Sequence, residues 1–521
     1  MTRKKINMNL HATANSTERH FEIHPEVRRI GEAIVENGGT PYLVGGWVRD
    51  RLLGLADQQD YDLEVFKLSM RRLKEILLPF GPVHSVGRHF GVLKLSTDSA
   101  EYDVSVPRRE SNIGKGHKGF RVTPDPTMTF DEAAARRDFT INAMGYDFRK
   151  EVLLDPHGGE RDLETGVVRH VGPAFSEDPL RVLRAMRFAG RFGFRIAPDT
   201  QALCRRLNLE ELPRERIWEE IKKLLLQSPR PSQGFGYAQK LGVLKFFPEL
   251  QALHDASASE GAQSPWELTL AFLDQAAIAV RRDPPRGVVL MTAALCYGLT
   301  QLDAAAPDGA DPDGAAPDGA AEAAGLFATG LFTAGEPALV ARFLGRLTNE
   351  TRFIEGVMGL TAELVKVQVL FKTRDRVEDG EVRRLALRIE IPFLLKAASA
   401  LHRARQGAAA FPAGNWLEAR ARALGVWEGP PEPLLKGRHL LKHGLKTGRG
   451  MGNMLDAVFQ LQLDGTIATR EAALAWVVAH AKETQWVEDI PPGGAPTGGA
   501  PTSGGRKRSG GGNLAGRGDK Q

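Results

Sequence analysis

The sequence has very little cysteine and no long apolar segment, and each shortage excludes a class of protein. Only two of 521 residues are cysteine, Cys204 and Cys296, too few and too distant in sequence for a disulfide framework or a cysteine-rich zinc site. No apolar run reaches the about 20 residues that a membrane-spanning helix needs. The N-terminus is basic, but no apolar stretch follows it as in a secretory signal. We therefore expect a cytoplasmic protein without a membrane partner.

The composition that is present is typical of a globular protein with several domains. Hydrophobic residues make up 42% of the chain and charged residues 26%. A length of 521 residues predicts three or four compact units. The 69 Lys and Arg residues exceed the 64 Asp and Glu residues by five, and the pI is near 9.1. This balance permits a nucleic-acid partner without demonstrating one.

The sharpest chemical pattern is a glycine turn followed by paired aspartates. Residues 41–44 predict a buried strand, Gly45-Gly46 ends it, and residues 47–53 predict a short helix. Free N–H groups at such a turn and helix start can hold a phosphate. In the strand predicted next, Asp60 and Asp62 project from one face and offer the oxygen ligands that Mg²⁺ prefers. Either feature by itself is more often a plain turn or a solvated strand end.

Two arginines and an aspartate follow the predicted helix that begins at Phe130. The run reads Arg136-Arg137-Asp138-Phe139-Thr140-Ile141-Asn142-Ala143-Met144. An arginine pair can hold triphosphate oxygens in a bidentate manner, and the adjacent carboxylate can accept a hydrogen bond from a ribose hydroxyl. An Arg-Arg-Asp triplet by itself is more often a surface ion pair.

Asp178 and Arg181 form a pair suited to recognising a nucleobase. They are three residues apart at the start of a predicted helix, so we expect them to share one helical face. Adenine and cytosine each present an amine donor beside a ring-nitrogen acceptor, which a carboxylate and a guanidinium match. Guanine and uracil present the reversed pattern and would leave buried polar groups unpaired. Taken by itself, a capped helix with a solvated basic face explains the same residues.

In this order, the motifs resemble those of the class II tRNA nucleotidyltransferase and bacterial poly(A) polymerase family, a branch of the DNA polymerase β-like nucleotidyltransferases. The resemblance covers roughly residues 40–240. It implies an α+β fold, with a small mixed-sheet nucleotidyltransferase head followed by an all-α neck, body and tail. It also implies RNA-primed transfer of nucleotides from ATP and CTP, with Mg²⁺ held by Asp60 and Asp62. The residues implicated in catalysis are Asp60, Asp62 and Asp103, and those implicated in nucleotide binding are Gly45, Gly46, Arg49, Arg136, Arg137, Asp138, Glu177, Asp178, Arg181 and Arg184.

The resemblance gives three of these residues more specific roles. Asp103, in a strand predicted over residues 102–106, would help to bind metal or activate the attacking hydroxyl. A polar residue on a solvent-facing strand is an equally good interpretation of Asp103. Glu177 would orient Arg181, and Arg184 would reach the triphosphate.

The domain divisions follow from composition and from the resemblance. Residues 109–129 are rich in glycine, proline and charge and predict a flexible loop. Residues 303–325 repeat Pro-Asp-Gly within alanine and predict a disordered insertion. The predicted divisions are a disordered N-terminus over residues 1–24, the head over 25–150, the neck over 151–240, the helical body over 241–400, a helical C-terminal module over 401–489 and a disordered basic tail over 490–521.

The body resembles a degenerate HD phosphohydrolase domain. Tyr297-Gly298 stands where that domain has its His-Asp pair, and Glu267 stands where it has another histidine. Because a metal site needs its ligands, we expect this region to be hydrolytically silent. His254-Asp255 is the chain's sole His-Asp dipeptide and is more often incidental. In the C-terminal module Arg438, Lys442, Lys446 and Arg449 either contact RNA phosphates or form a solvated basic face.

The favoured function is addition of CCA to the 3′ end of tRNA. Poly(A) addition, CC-only addition and A-only addition remain open alternatives. A non-catalytic RNA-binding protein is disfavoured because binding does not require the aspartate pair, and a phosphohydrolase is disfavoured because the His-Asp ligands are missing.

Overall fold

The computed structural model describes residues 16–55, 61–86, 92–112, 120–257, 263–281, 286–305, 338–442 and 448–483. They form two compact units. The first contains the described residues up to Val377 together with Val382–Pro430, and the second contains Glu378–Glu381 and the described residues from Pro431 onward. None of the helices described has both the length and the apolar character needed to cross a membrane.

A mixed sheet forms the centre of the head. Its strands lie in the order β1-β10-β9-β2-β3-β6-β5-β4, in which β3 and β6 are parallel and the other neighbours are antiparallel. Two strands of a hairpin, β7 and β8, and a short parallel pair, β11 and β12, lie outside this sheet. The strands described are β1 Ser16–Glu18, β2 Thr40–Val44, β3 Tyr61–Phe66, β4 Val83–Val86, β5 Val92–Ser96, β6 Glu101–Ser105, β7 Arg108–Asn112, β8 Phe120–Pro124, β9 Gly145–Asp147, β10 Val152–Leu154, β11 Val167–Val168 and β12 Arg195–Ile196.

The two faces of the sheet differ because polar and apolar residues alternate along its strands. Leu63 on β3 and Tyr102 and Val104 on β6 are buried in the main core. They belong to the same apolar cluster as Ile30 and Leu73, which lie on the first and third helices. The alternate residues of β3 and β6 therefore project from the opposite face, where the polar side chains lie.

Helices make up the rest of the first unit. In the head and neck they are α1 Pro25–Glu36, α2 Gly46–Leu52, α3 Met70–Leu77, α4 Phe130–Ala134, α5 Gly159–Glu164, α6 Arg181–Phe192, α7 Pro198–Cys204, α8 Arg214–Gln227 and α9 Pro231–Phe235. Further along the chain they are α10 Pro248–Asp255, α11 Pro265–Val280, α12 Gly287–Ala305, α13 Ala338–Leu347, α14 Thr351–Lys372, α15 Asp379–Arg388, α16 Ile391–Gln406 and α17 Pro412–Ala423. The second unit contains α18 Gly437–Lys442, α19 Arg449–Leu463 and α20 Arg470–Glu483.

These elements confirm the predicted fold class of a mixed-sheet head followed by helices. Ser69 caps α3, because its hydroxyl accepts a hydrogen bond from the Arg72 N–H at 3.3 Å. The domain boundaries that we predicted from composition stay predictions. The basic residue Lys446 and most of the predicted insertion and tail lie outside the described residues.

Two sequence expectations are wrong. The loop predicted over residues 109–129 contains the β7–β8 hairpin, in which Arg109 pairs with Thr123. Apolar and polar residues alternate in Phe120–Pro124, as in a strand, although glycine, proline and charge dominate the surrounding segment. The predicted disordered N-terminus also contains a strand, since Ser16–Glu18 pairs with Val152–Leu154 at the edge of the sheet.

In the helical body, the residues that were compared above with the ligands of an HD domain take part in helix capping, hydrogen bonding and packing. Glu267 accepts the Ser264 N–H at 2.9 Å in a capping box at the start of α11. Tyr297 is buried, and its hydroxyl accepts a hydrogen bond from Arg405 at 2.9 Å. At Gly298, a Cβ atom would lie 2.6 Å from both Leu253 Cδ1 and Thr269 Oγ1. A side chain at position 298 therefore has no room.

We expect Gly298→Ala to lower the free energy of unfolding by about 1–3 kcal/mol, because the added methyl group overpacks the contact between α12 and its neighbours. Gly359→Ala is the matched control, since a Cβ atom added to that helical glycine would meet nothing within 4 Å. The control should be neutral or stabilising by up to about 1 kcal/mol. Urea unfolding followed by circular dichroism measures both variants, and equal effects would contradict the packing argument.

Candidate active-site cleft

A cleft of about 630 Å³ lies between the polar face of the head sheet and the neck. Its head side is formed by the glycine turn, by β3 and β6, and by the Arg136–Asn142 segment. Its neck side is formed by the residues around the start of α6 and by Arg216 of α8. The cleft therefore brings together motifs that are more than a hundred residues apart in the sequence.

The glycine turn connects β2 to α2 at the edge of this cleft. Gly45 has a φ of 68°, a left-handed conformation that disfavours other residues, and its N–H donates to the Met144 carbonyl at 3.3 Å. A Cβ atom on Gly45 would lie 3.0 Å from Arg137 Nη1 and 3.7 Å from Asp62 Oδ2. The missing side chain therefore lets the backbone, a guanidinium and a carboxylate approach one another closely.

Asp62 and Asp103 lie side by side on the floor of the cleft. They are register partners on the parallel strands β3 and β6, so their side chains project from the same face of the sheet. Asp103 Oδ1 is buried and has no hydrogen-bond partner among the described residues. The third carboxylate of the sequence pattern, Asp60, lies outside the described residues.

This pair fits a divalent cation. Two adjacent carboxylates repel each other unless a positive charge lies between them, and hard cations prefer oxygen ligands. Asp103 Oδ1 accepts no hydrogen bond among the described residues and lies 3.7 Å from the Lys94 ammonium, so it can serve as a ligand when that ion pair opens. Within the part of the chain that the structure describes, no three His, Cys, Asp or Glu residues form a complete metal cluster.

Arg137 faces the carboxylates from the wall of the cleft. Its Nη2 atom lies 3.1 Å from Glu64 Oε2, and its Nη1 atom donates to the Asn142 carbonyl at 3.4 Å. Arg136, the other member of the pair, contacts Glu177 Oε2 at 2.7 Å. Glu177 thus contacts Arg136, whereas the resemblance assigned it to Arg181.

Asp138 is buried behind the cleft, and its carboxylate is held by neighbouring groups. Oδ1 accepts hydrogen bonds from the Phe139 N–H at 2.8 Å and from Asn142 Nδ2 at 2.9 Å. Oδ2 accepts from Arg184 Nε at 2.6 Å and lies 2.5 Å from Arg184 Nη2. Burial raises the pKa of Asp138, but the charge of Arg184 and the hydrogen bonds outweigh burial and lower the pKa to about 2. With these acceptor sites occupied, a ribose hydroxyl would have to displace one of the donors.

Arg49 is also buried and connects the glycine-turn helix to the neck. Its Nε atom donates to Asp50 Oδ1 at 2.7 Å, and its Nη1 atom donates to Asn142 Oδ1 at 2.5 Å. Asp50 Oδ2 in turn accepts a hydrogen bond from Arg191 of α6 at 3.0 Å. Burial lowers the pKa of Arg49, and the adjacent Asp50 partly offsets this effect. Arg49 therefore positions the site, while its role in contacting nucleotide stays a prediction.

Asp178 and Arg181 both line the cleft, but they do not share a helical face. Asp178 precedes α6 in extended backbone, with φ −127° and ψ 103°, and its Oδ1 atom accepts the Leu180 N–H at 3.1 Å. The helical-face expectation is wrong because the helix begins only at Arg181, after Pro179 and this local turn at Asp178. Arg216 Nη2 holds Asp178 Oδ2 at 2.8 Å.

The Arg181 guanidinium is oriented by the backbone. Its Nη1 atom donates to the Ala174 carbonyl at 2.7 Å, and its Nη2 atom donates to the Arg136 carbonyl at 2.9 Å. These contacts fix the plane of the guanidinium at the neck side of the cleft. Asp178 and the oriented Arg181 guanidinium thus both line the cleft.

Comparison with protein families agrees with this arrangement of head and neck. Residues 41–169 match the family described as the poly A polymerase head domain. The head of this chain is therefore similar to the poly A polymerase head domain. Residues 193–253 match a second family, described as "Probable RNA and SrmB- binding site of polymerase A". The cleft described above lies within the poly A polymerase head and the segment that follows it.

Individual relatives and a solved structure extend the comparison. The chain is 43% identical over 217 residues to the Multifunctional CCA protein of Nitrosospira multiformis. The aligned region covers 41% of this chain and 50% of that protein. The chain is 44% identical over 223 residues to the Multifunctional CCA protein of Stenotrophomonas maltophilia, with coverages of 41% and 52%. The chain thus spans about half the length of these curated relatives. The Thermotoga maritima CCA-adding enzyme complexed with tRNA has a similar fold, with a TM-score of 0.56, 19% identity and coverages of 90% and 100%.

The similarity of residues 41–169 to the poly A polymerase head domain agrees with the fit of the Asp62–Asp103 pair to a divalent metal ion. The structure also adds cleft residues that sequence reasoning missed. Glu64 continues the i, i+2 alternation of Asp60 and Asp62, which was a usable signal. Arg216 gave no such signal, because only the fold brings α8 beside Asp178.

Proposed function

We propose that this protein is a template-independent RNA nucleotidyltransferase that adds CCA, from CTP and ATP, to the 3′ end of tRNA. The observation that carries the proposal is the single cleft in which Asp62 and Asp103 face Arg137 while Asp178 and Arg181 line the opposite side. The first three residues would carry out phosphoryl transfer, and the last two would select the base. The matching relatives, named Multifunctional CCA proteins, support the tRNA 3′ end as substrate.

In the proposed reaction the 3′-oxygen of the RNA attacks the α-phosphorus of the bound nucleotide. A bond forms between these atoms, the bond from the α-phosphorus to the bridging oxygen breaks, and pyrophosphate leaves. Mg²⁺, held by Asp62, Asp103 and the sequence-predicted ligand Asp60, would polarise the reacting oxygens when bound. In this scheme the glycine turn and Arg137 bind the triphosphate, and Asp103 accepts the proton of the attacking hydroxyl.

The base is selected by side chains in place of a nucleic-acid template. Asp178 accepts from the exocyclic amine of cytosine or adenine, and Arg181 donates to the adjacent ring nitrogen. Arg216 keeps Asp178 in place, and the Ala174 and Arg136 carbonyls keep Arg181 in place. Because both partners are fixed before the base arrives, uracil and guanine would leave the carboxylate and guanidinium unpaired. With tRNA, CTP and ATP as substrates, we expect the reaction to take place in the cytoplasm.

The test uses the full chain with three RNAs, namely a tRNA transcript lacking CCA, one lacking only the terminal A, and an unrelated RNA. Each is incubated with one nucleoside triphosphate at a time, and products are resolved at single-nucleotide length. We expect CC from CTP on the first, one A from ATP on the second, and nothing on the third. Long A tracts on any RNA would establish the poly(A) alternative, and products that stop at CC or begin only at A would establish the shorter alternatives.

Asp178→Asn should lower the preference for CTP over UTP by about tenfold to a hundredfold, because an amide can donate where the carboxylate only accepts. The measurement is kcat/KM for each nucleotide on tRNA lacking CCA. Asp199→Asn is the matched control, since this exposed carboxylate lies on the next helix, α7, outside the cleft. An unaltered CTP to UTP ratio in Asp178→Asn would overturn the assignment of base choice to this side chain.

A further inference from the structure

Lys94 continues the row of charged side chains that contains the two aspartates. In the sheet, Asp62 on β3 is the register partner of Asp103 on β6, and Asp103 is the register partner of Lys94 on β5. Leu93 and Leu95 are buried on the opposite face, so Lys94 projects from the face that carries the carboxylates. Three neighbouring strands thus carry a row of charged groups, namely the carboxylates of Asp62 and Asp103 and the ammonium of Lys94.

The ammonium divides its contacts between two acidic residues. Lys94 Nζ lies 3.7 Å from Asp103 Oδ1 and 3.1 Å from Glu101 Oε2. The side chain is 42% exposed, and a flexible four-carbon stem lets the ammonium move between the two carboxylates. When a metal ion takes Asp103, Lys94 still keeps Glu101 as a partner. The Lys94 ammonium therefore keeps an ion pair with Glu101 when a metal ion displaces it from Asp103.

We infer that Lys94 is a positioning residue that competes with the divalent cation for Asp103, so that tight metal binding requires the negative charge of the incoming nucleotide. The inference deepens the proposed function and rests on the metal site that it assigns to Asp62 and Asp103. A positive charge near this pair lowers the attraction of the empty site for a cation. The phosphates of a nucleoside triphosphate restore that attraction when substrate binds. Metal and nucleotide then enter together, and metal leaves readily with pyrophosphate.

The inference predicts that loss of the Lys94 charge tightens Mn²⁺ binding. A lysine with a purely structural role would not give this result. Lys94→Met removes the competing charge and should tighten Mn²⁺ binding to the nucleotide-free protein by about three- to tenfold. Lys94→Arg keeps the charge and should bind Mn²⁺ as the natural chain does. Glu101→Gln removes the alternative partner, holds Lys94 against Asp103, and should weaken Mn²⁺ binding by about threefold.

The experiment measures free Mn²⁺ by electron paramagnetic resonance during titration of the full chain without nucleotide. Lys74→Met is the matched control, because this exposed lysine on α3 lies outside the cleft and its loss removes the same charge from the head. Asp62→Asn establishes which binding belongs to the cleft. Circular dichroism melting checks that each variant is folded.

Tighter binding in Lys94→Met, with Lys94→Arg unchanged, supports the inference. Unchanged or weaker binding in Lys94→Met overturns it, as does tighter binding in Glu101→Gln or the absence of Mn²⁺ binding in the cleft of both the natural chain and Lys94→Met. This readout is independent of tRNA and of base choice. A failure of CCA addition alongside the expected Mn²⁺ shift would therefore remove the proposed function and leave the role of Lys94 standing.

Discussion

Replacing Asp62 by asparagine should lower the rate of nucleotide transfer to RNA by about 10³-fold, equivalent to about 4 kcal/mol in the activation barrier. Asp62 lies beside Asp103 on the parallel strands and near the glycine turn, and the proposed function assigns it a share in holding the cation. An amide has almost the same shape but carries no negative charge. The loss should therefore appear in kcat with little change in the KM for CTP.

Single-turnover extension of tRNA lacking CCA measures this effect without interference from product release. Asp98→Asn is the matched control, because it removes an exposed loop carboxylate from the same head. We expect the control to transfer nucleotide at the natural rate. A rate within tenfold of the natural chain in Asp62→Asn, with the protein folded, would contradict the assignment of Asp62 to catalysis.

Asp138→Ala should lower the free energy of unfolding by about 3 kcal/mol, because it deprives Arg184 of the nearer of its two carboxylate partners and removes hydrogen-bond acceptors from Asn142 and the Phe139 N–H. Asp138 is 7% exposed, so water does not readily replace these contacts. Urea unfolding followed by circular dichroism measures the effect. Asp98→Asn again serves as the control and should change the free energy of unfolding by no more than about 0.5 kcal/mol.

The contribution of Asp138 should also depend on pH in a defined direction. Its pKa is lowered from 3.8 to about 2 in the folded chain, so the folded state favours the ionised form. This preference contributes about 2 kcal/mol to the free energy of unfolding. The contribution is fully present above about pH 4 and disappears as the pH falls through about 2. The difference in stability between the natural chain and Asp138→Asn should therefore shrink over that interval. A difference that stays constant from about pH 6 to about pH 2 would contradict the lowered pKa.

Local patterns in the sequence predicted most of the elements that build the head. The sequence predicted strands over residues 41–44 and 102–106 and a helix over residues 47–53, and the structure has Thr40–Val44, Glu101–Ser105 and Gly46–Leu52. These features depend on neighbours a few residues away, so a single chain contains the information. The β7–β8 hairpin was missed because short strands in a segment rich in glycine, proline and charge have a weak local signal.

The chemical identity of the site residues was determined by the sequence, whereas their partners were decided by the tertiary structure. Residue type, the order of the motifs and the family resemblance together indicated that Asp62 and Asp178 belong to a chemical site. Only the register of β3, β6 and β5 aligns Asp62, Asp103 and Lys94, and only the packing of α8 brings Arg216 to Asp178. The physical reason is that residue type and spacing are properties of the chain, while contacts between distant side chains are fixed by strand pairing and by burial of the shared core.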